Sequence, residues 1–230
     1  MPAARCPMSA YFPPPDPIQV IHADHDLMVV EKPAGLLSVP GRGADKQDCL
    51  LSRLRENWSN VFEVHRLDMS TSGLMLVARH DSMQRELHRL FRDRQIKKRY
   101  LAAVDGLIEA DSGTIDLPLI CDWPNRPRQM VDHQIGKPSL TRYRVLERQL
   151  AAQVTLVELE PVTGRSHQLR VHLASLGHPI LGDDLYAGEA ANRAGRLLLH
   201  AAEIAFTHPA TSVMMNFQSR APFFPWENSQ

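Results

Sequence analysis

VFEVHRLDMSTSGLMLVAR, residues 61–79, decides how the rest of the chain is read. Two stretches rich in apolar and branched residues, Val61 to Leu67 and Leu74 to Ala78, flank a polar elbow of Asp68, Ser70, Thr71, Ser72 and Gly73. That pattern predicts strand, turn, strand. An acidic residue in such an elbow, directly after His65 and Arg66, stands on a scaffold beside two cationic or titratable neighbours, the kind of place where chemistry is done. The same residue types also suit an Asx-turn, in which the Asp68 carboxylate only accepts the Thr71 or Ser72 N–H.

Outward from the elbow on the N-terminal side, Asp48 is placed to cap a helix that carries Leu50, Leu51, Leu54 and Trp58 on one face. Ile18 to His22 and Leu27 to Glu31 read as two strands joined by a turn over Ala23 to Asp26. Pro33 and Gly35 end the second and leave Lys32 near a loop. Residues 1–17 hold Pro13, Pro14, Pro15 and Pro17 and predict an extended arm without packed structure. Gly41-Arg42-Gly43 is a flexible turn and no phosphate-binding loop, because no Gly-Lys-Ser/Thr follows it.

On the C-terminal side a helix is predicted from Ser82 to Arg94, with Met83, Leu87, Leu90 and Phe91 inward and Arg85, Arg89 and Arg92 outward. Lys97-Lys98-Arg99-Tyr100 then enters a strand over Leu101 to Val104. Strands over Gly113 to Leu119 and Thr141 to Glu147 flank an irregular loop, CDWPNRPRQMVDHQIGKP. Val154 to Glu160 alternates as a strand with one buried face. In VTGRSHQLRVHLASLGHP, Leu169, Leu173 and Leu176 fall at helical spacing, Gly177 suits the C-terminal cap, and His167 and Arg170 share a face. Leu197 to Leu199 and Ile204 to Phe206 close the chain as strands. With no internal repeat and no long linker, residues 18–230 read as one α+β domain on a mostly antiparallel sheet with flanking helices.

Composition limits the function classes. Of 230 residues 43% are hydrophobic, enough for a proper core. No apolar run approaches the roughly 20 residues of a membrane span, and the N-terminus lacks the apolar core of a secretory signal, so the cytoplasm is the expected compartment. Cys6, Cys49 and Cys121 are widely spaced and argue against a disulfide framework or a structural zinc. Formal net charge is zero, yet Arg85 to Arg99 holds seven Lys or Arg against two acids, and Arg126 to Arg144 holds five against Asp132. A neutral protein with a concentrated basic face can still bind a polyanion, although a solvated helix surface has the same composition. HExxH, GxSxG, GxGxxG and the zinc deaminase signature are all missing. What remains is a carboxylate, several arginines and a tyrosine. Such a set can act on a glycosidic bond or hold a base by stacking, without redox equipment.

HRLDMSTSGLMLVAR, KKRYLA and TGRSHQLRVHLASLGHPILGD, taken in order, resemble the three motif regions of RluA-type pseudouridine synthases, which isomerise uridine in RNA. EKPAGLLSVPG and RLLLHA resemble that family's opening and closing segments, so the likeness runs from about Ile21 to Phe206. DLPLICDWPNRPRQ further resembles the family's dual-specificity member, which acts on large-subunit ribosomal RNA and a transfer-RNA anticodon arm. The resemblance implies the pseudouridine synthase fold, and roles for four residues. Asp68 matches the essential carboxylate, Tyr100 the tyrosine that packs on the target base, Arg170 the arginine paired with that carboxylate, and Arg66 the residue that enters the RNA stack as the uridine leaves. A partly buried arginine favours the ionised carboxylate, and a planar guanidinium can fill the space of an extruded base. His65, Arg89, Arg92, Lys97, Lys98 and Arg165 are expected on the RNA side. No cofactor or metal is expected. The partners are stem-loops of ribosomal and transfer RNA, bound by a monomer, and the chain has no room for the S4-like domain many relatives carry. The other readings are an inactive RNA-binding module of the same fold and a carboxylate-dependent glycoside hydrolase, which usually needs a second acid.

Overall fold

The computed structural model describes residues 11–224. Strands β1 (Gln19–Ala23) and β2 (Leu27–Lys32) form a hairpin whose turn is fastened by the Asp24 carboxylate, which accepts the N–H of Asp26 and Leu27 at 2.7 and 2.8 Å. Helix α1 (Leu50–Arg55), β3 (Phe62–Glu63), β4 (Ser72–Ala78) and helix α2 (Asp81–Arg92) follow. Next come β5 (Lys97–Asp105), β6 (Ser112–Asp116), β7 (Leu119–Cys121), β8 (Gln129–Val131), β9 (Leu140–Gln149) and β10 (Val154–Pro161). Helix α3 (Gln168–Ser175), β11 (Leu199–Thr207) and β12 (Met214–Gln218) complete the order.

Ten strands share one sheet in the order β1-β2-β4-β11-β5-β10-β9-β6, with β3 also on β4 and β12 also on β11. β7 and β8 form a separate two-stranded ribbon. The sheet is antiparallel except where β4 meets β11, a parallel contact of two residue pairs, Ser72 with His200 and Gly73 with Ala201. The α+β class and mostly antiparallel sheet expected from sequence are therefore found. The parallel contact depends on Gly73. Its φ is +114°, and a Cβ there would lie 2.6 Å from the Ala201 nitrogen and closer still to its carbonyl oxygen.

β2 and β4 read as continuous apolar runs because both of their faces are covered. Leu27, Val29, Leu74, Leu76 and Ala78 pack under α2 through Met83, Leu87 and Leu90, while Met28, Val30, Met75 and Val77 pack under α1 through Leu50, Leu51 and Leu54. A third cluster joins Leu169 and Leu173 of α3 to Ala102, Val104, Val157 and Leu159. Tyr100 packs against both the second and third clusters, so it sits on the seam between the two halves of the sheet. α3 ends as its sequence predicts. Gly177 takes φ +86°, its N–H donates to Ala174 O, and the His178 N–H donates to Leu173 O, both at 3.0 Å.

Several local expectations are corrected. The cap of α1 is Cys49, whose Sγ accepts the Ser52 N–H at 3.3 Å while Ser52 Oγ accepts the Cys49 N–H at 2.8 Å. Asp48 instead binds Arg53 through both carboxylate oxygens at 2.7 and 2.8 Å. Only Phe62–Glu63 of the first elbow strand pairs, and 64–71 is an irregular loop. The segment expected to be irregular between β6 and β9 contains the β7–β8 hairpin. Val154–Pro161 is buried on both faces because it lies inside the sheet. The two closing strands are one strand, β11, and the β12 edge strand was not anticipated. Of the Pro-rich arm, residues 1–10 lie outside the described residues. Residues 11–17 are extended but fastened: Tyr11 Oη donates to Asp48 O and accepts the Leu37 N–H, each at 3.0 Å, and Arg53 donates to Pro14 O and Asp16 O at 2.7 and 2.9 Å.

Candidate active site

Three anchors set the loop that carries Asp68. Ser38 Oγ donates to Leu67 O at 2.7 Å and accepts the Leu67 N–H at 3.2 Å. Gly35 N–H donates to Met69 O at 2.8 Å. Lys32, expected near a loop, is wholly buried at the end of β2, where its Nζ donates to Pro33 O, Leu36 O and Met69 O at 2.9, 2.7 and 3.0 Å. An ammonium buried at this depth needs such a carbonyl cage. Burial pulls it down to about 7 while the nearby Asp68 charge pushes it back up. The elbow turn itself is closed by the Asp68 carbonyl, which accepts the Thr71 N–H at 3.1 Å. The carboxylate is therefore not tied up in the Asx-turn that the residue types allowed.

It faces two side chains from the start of α3. Arg170 Nη1 lies 3.7 Å from Asp68 Oδ2 and His167 Nε2 lies 3.9 Å from Oδ1, so the shared face read from their spacing points at Asp68. His167 takes a left-handed conformation, φ 53°, at the head of the helix, a conformation a branched or bulky residue holds only when its surroundings fix it. Tyr186 supplies that fixing. Its hydroxyl accepts the Gln129 N–H at 2.7 Å and lies 2.7 Å from His167 Nδ1. With its own hydrogen donated to Nδ1, the Tyr186–His167 pair presents Nε2–H to Asp68. Burial pulls the His167 imidazole down, against the opposing effect of the Asp68 charge.

Arg170 is bound more tightly elsewhere. Its Nε and Nη2 clamp Asp183 at 2.7 and 2.6 Å, with Asp184 at 3.1 Å, and both Arg170 and Asp183 are almost wholly buried. The pairing with Asp68 expected from sequence is thus the longest of three. Burial alone would pull the guanidinium down, but the Asp183 bonds, reinforced by Asp68 and Asp184, raise it instead. Tyr100 closes the site from β5. Burial, and then the Asp68 charge, push its phenol well above the ordinary tyrosine range, so it stays a neutral ring and donor.

Asp68, Tyr100, His167 and Arg170 lie along a groove of about 700 Å³. Arg66, Arg92, Lys97, Lys98 and Arg165 line it, together with Arg94 and Arg142. Arg66 is exposed and makes no hydrogen bond or ion pair among the described residues. Two residues expected on the RNA side have other partners. His65 uses Nε2 to accept the Leu76 N–H at 3.0 Å and packs on Phe91, and burial pulls its imidazole down to about 3, so it serves the groove wall as a neutral ring. Arg89 pairs with Glu86 at 2.8 Å on the outer face of α2, away from the groove lining.

A second cluster gathers Asp24, Asp26, His25, His80 and His208 at the β1–β2 turn. His80 and His208 both use Nδ1 to accept backbone N–H groups, at 3.1 to 3.2 Å, which leaves Nε2 protonated and facing the carboxylates. Their lone pairs are therefore committed to turns, and the cluster reads as a brace for the hairpin.

The profile of the RNA pseudouridylate synthase family matches residues 26–175, which contain Asp68, Tyr100, His167 and Arg170. The chain belongs to that family. It is 50% identical to the dual-specificity RNA pseudouridine synthase RluA of Vibrio vulnificus over 95% of this chain and 89% of the relative. The RluA of Salmonella typhi is 50% identical over 94% of this chain and 99% of the relative. Among solved structures, human RNA pseudouridylate synthase domain containing 1 superposes with a TM-score of 0.74 at 32% identity, covering 90% of this chain and 85% of that one. Human RNA pseudouridylate synthase domain containing 4 gives 0.70 at 27% identity, covering 89% of each. The protein is an RNA pseudouridine synthase, an isomerase, with the family's fold.

Proposed function

We propose that this synthase converts uridine to pseudouridine in stem-loops of large-subunit ribosomal RNA and of a transfer-RNA anticodon arm, with Asp68 as the reacting group. The observation that carries the reading is the Asp68 carboxylate on the floor of a basic groove, free of local turn bonds, between Arg170 and His167. The 50% identity to relatives named dual-specificity supports both RNA classes as substrates.

Isomerisation breaks the bond from C1′ to N1, turns the uracil, joins C5 to C1′, and moves one proton from C5 while N1 gains one. The isomerisation is redox-neutral, and in this reading the 18–230 domain works as a cytoplasmic monomer without metal or cofactor. A target base must leave the RNA stack to reach the groove floor. Arg66, exposed at the groove and unpaired among the described residues, fills the vacated space, and the Tyr100 ring supports the base. A carboxylate can begin the reaction at the sugar, at the base or at a ribose proton, and each route needs its oxygen unencumbered. The donors at 3.7 and 3.9 Å leave it so and can close in when substrate displaces water. Arg92, Lys97, Lys98 and Arg165 contact phosphates along the groove. The hydrolase reading loses ground because Asp183 has both oxygens committed to Arg170 and the other carboxylate in the groove lining, Glu160, pairs with Arg142 at 3.4 Å.

The test is to map pseudouridine in ribosomal and transfer RNA after treatment with the protein and with Asp68→Asn. New pseudouridine is expected only with the unaltered protein, while Asp68→Asn binds RNA within about threefold because shape is kept and charge is lost. Modification by Asp68→Asn near the original rate would remove Asp68 from the mechanism, and binding without any new pseudouridine would favour the inactive-module reading.

A further inference from the structure

The β7–β8 hairpin has a feature the reaction at Asp68 does not use. Trp123, in the turn joining its strands, is 62% exposed, more apolar ring than an aromatic side chain ordinarily leaves in water. The Arg126 guanidinium lies over one face of the ring, 3.7 Å from its centre, which orients the indole and leaves the opposite face to solvent. The turn is fastened from within. Asp122 N–H donates to Arg128 O at 3.0 Å, Asn125 N–H to Asp122 O and Arg128 N–H to Asn125 O at 3.1 Å each, and the Asn125 amide reaches both Asp122 carboxylate oxygens. A ring held this way loses little freedom when something stacks on it.

The base of the hairpin is tied to the active site through Tyr186. Gln129, the first residue of β8, donates its N–H to the same Tyr186 hydroxyl that fixes His167, and the Arg128 guanidinium lies 5.3 Å from the Tyr186 ring centre. Gln129 pairs with Cys121, and Trp123 stands two residues farther on, about 7 Å at roughly 3.3 Å per residue. The indole is thus carried by an element bonded to Tyr186, which in turn bonds His167. A solvent-facing aromatic ring with an arginine over one face, on an element linked to a site whose groove is lined with cations, is a combination that holds single-stranded nucleic acid.

We propose that Trp123, backed by Arg126, is a second base-binding site that stacks an unpaired nucleobase next to the target uridine. This rests on the RNA-modifying reading above and adds to it a recognition site separate from the reacting centre. Stacking accepts any base, so the site selects loops that can turn a second base outward and imposes no sequence of its own.

The experiment uses the full chain with Trp58→Phe and Trp226→Phe, leaving Trp123 as its only tryptophan, and titrates it with a short RNA stem-loop in which the modified uridine has been mapped. Expected is saturable quenching of Trp123 fluorescence by the stem-loop and little by a duplex of equal length without unpaired bases. In the otherwise unaltered chain, Trp123→Ala should weaken stem-loop binding about 5- to 150-fold, Trp123→Phe should restore most of it, and the single-turnover rate at saturating RNA should stay within about threefold. Unquenched Trp123 together with unchanged affinity of Trp123→Ala, in a preparation that does form pseudouridine, overturns the stacking site and leaves the proposed activity standing. It is also the result a protein-docking role for this ring would give. Quenching by RNA with no pseudouridine formed would leave the stacking site and remove the activity. The fluorescence measurement keeps Trp123 in place, so a folding defect in Trp123→Ala cannot blunt the test.

Discussion

Asp183→Asn removes one charge from a pair almost wholly out of water, with Arg170 3% and Asp183 1% exposed. Asp183 Oδ1 accepts from Arg170 Nη2 at 2.6 Å and from the Leu185 and Tyr186 N–H groups at 3.0 and 3.2 Å, while Oδ2 accepts from Arg170 Nε at 2.7 Å. An asparagine oxygen can keep the three donors at Oδ1, but its NH₂ must then occupy the Oδ2 position and face the Nε–H, donor against donor. Removing one partner of a buried ion pair costs about 3 to 5 kcal/mol, because the buried charge left behind is poorly solvated and keeps only the longer contacts to Asp184 and Asp68. With a urea dependence of about 2 kcal/mol per molar, the unfolding midpoint should fall by about 1.5 to 2.5 M, read by circular dichroism. Asp184→Asn is the control. Its carboxylate lies 3.1 Å from the same guanidinium but is 71% exposed, and its loss should cost no more than about 1 kcal/mol. If Asp183→Asn unfolded within about 0.5 kcal/mol of the unaltered protein, or Asp184→Asn cost more, the assignment of Asp183 as the main support of Arg170 would be wrong.

Gly73→Ala should lose at least about 2 kcal/mol, because φ +114° and the Ala201 backbone leave no place for a Cβ; Ser72→Ala, which loses only its bond to His200, should cost about 1 kcal/mol, and equal melting temperatures for the two would contradict this. Burial pulls His200 down to about 4 and His65 to about 3, below the unfolded value of about 6.5. The unfolded chain therefore binds more protons in that window, so stability is full above pH 6.5 and falls as pH drops toward 4, by up to about 3 kcal/mol per pH unit for both. Urea titrations at several pH values should show His200→Gln roughly halving that slope, and an unaltered slope would count against it. Lys97→Ala, Lys98→Ala and Arg165→Ala should each lower the slope of log affinity against log salt by about 0.7 to 0.9, whereas Arg89→Ala should leave it unchanged. A slope change for Arg89 equal to the others would move the RNA path off the groove.

The parts legible in the sequence are those whose signal is local. Branched runs around the elbow marked β4, the spacing of Leu169 and Leu173 with Gly177 behind them marked α3 and its end, and Met83, Leu87 and Leu90 marked the buried side of α2. The spacing of His167 and Arg170 placed both on one face, and both do face Asp68. What could not be read there depends on contacts between distant segments. Lys32 sits before Pro33 and Gly35, the usual marks of a loop, and its burial follows from a carbonyl at Met69, 37 residues away. Asp183 lies 13 residues beyond Arg170, past Gly177 and Gly182, so no helical spacing connects them. His65 carries the same local pattern as an exposed cation, and only its bond to Leu76 and the Phe91 ring show it to be interior. The β7–β8 hairpin escaped because its three-residue strands are too short for alternation to show, and Pro124 and Pro127 between them favour irregular structure.

The parallel contact of β4 with β11 also orders events in time. Ser72 and His200 are separated by 128 residues, and a ribosome adding about 5 to 20 residues per second needs roughly 6 to 26 s to pass from one to the other. Through that interval β4, buried along its entire length in the finished protein, has β2 on one side and β3 over Val77 and Ala78 on the other, but is open at Ser72 and Gly73, where β11 belongs. Open apolar edges of this kind invite pairing with other chains, so the newborn chain is most exposed to aggregation between the emergence of β4 and of β11. Arg170 and Asp183 likewise follow Asp68 by 102 and 115 residues, so no growing chain can bring the three together until synthesis is well into its last third.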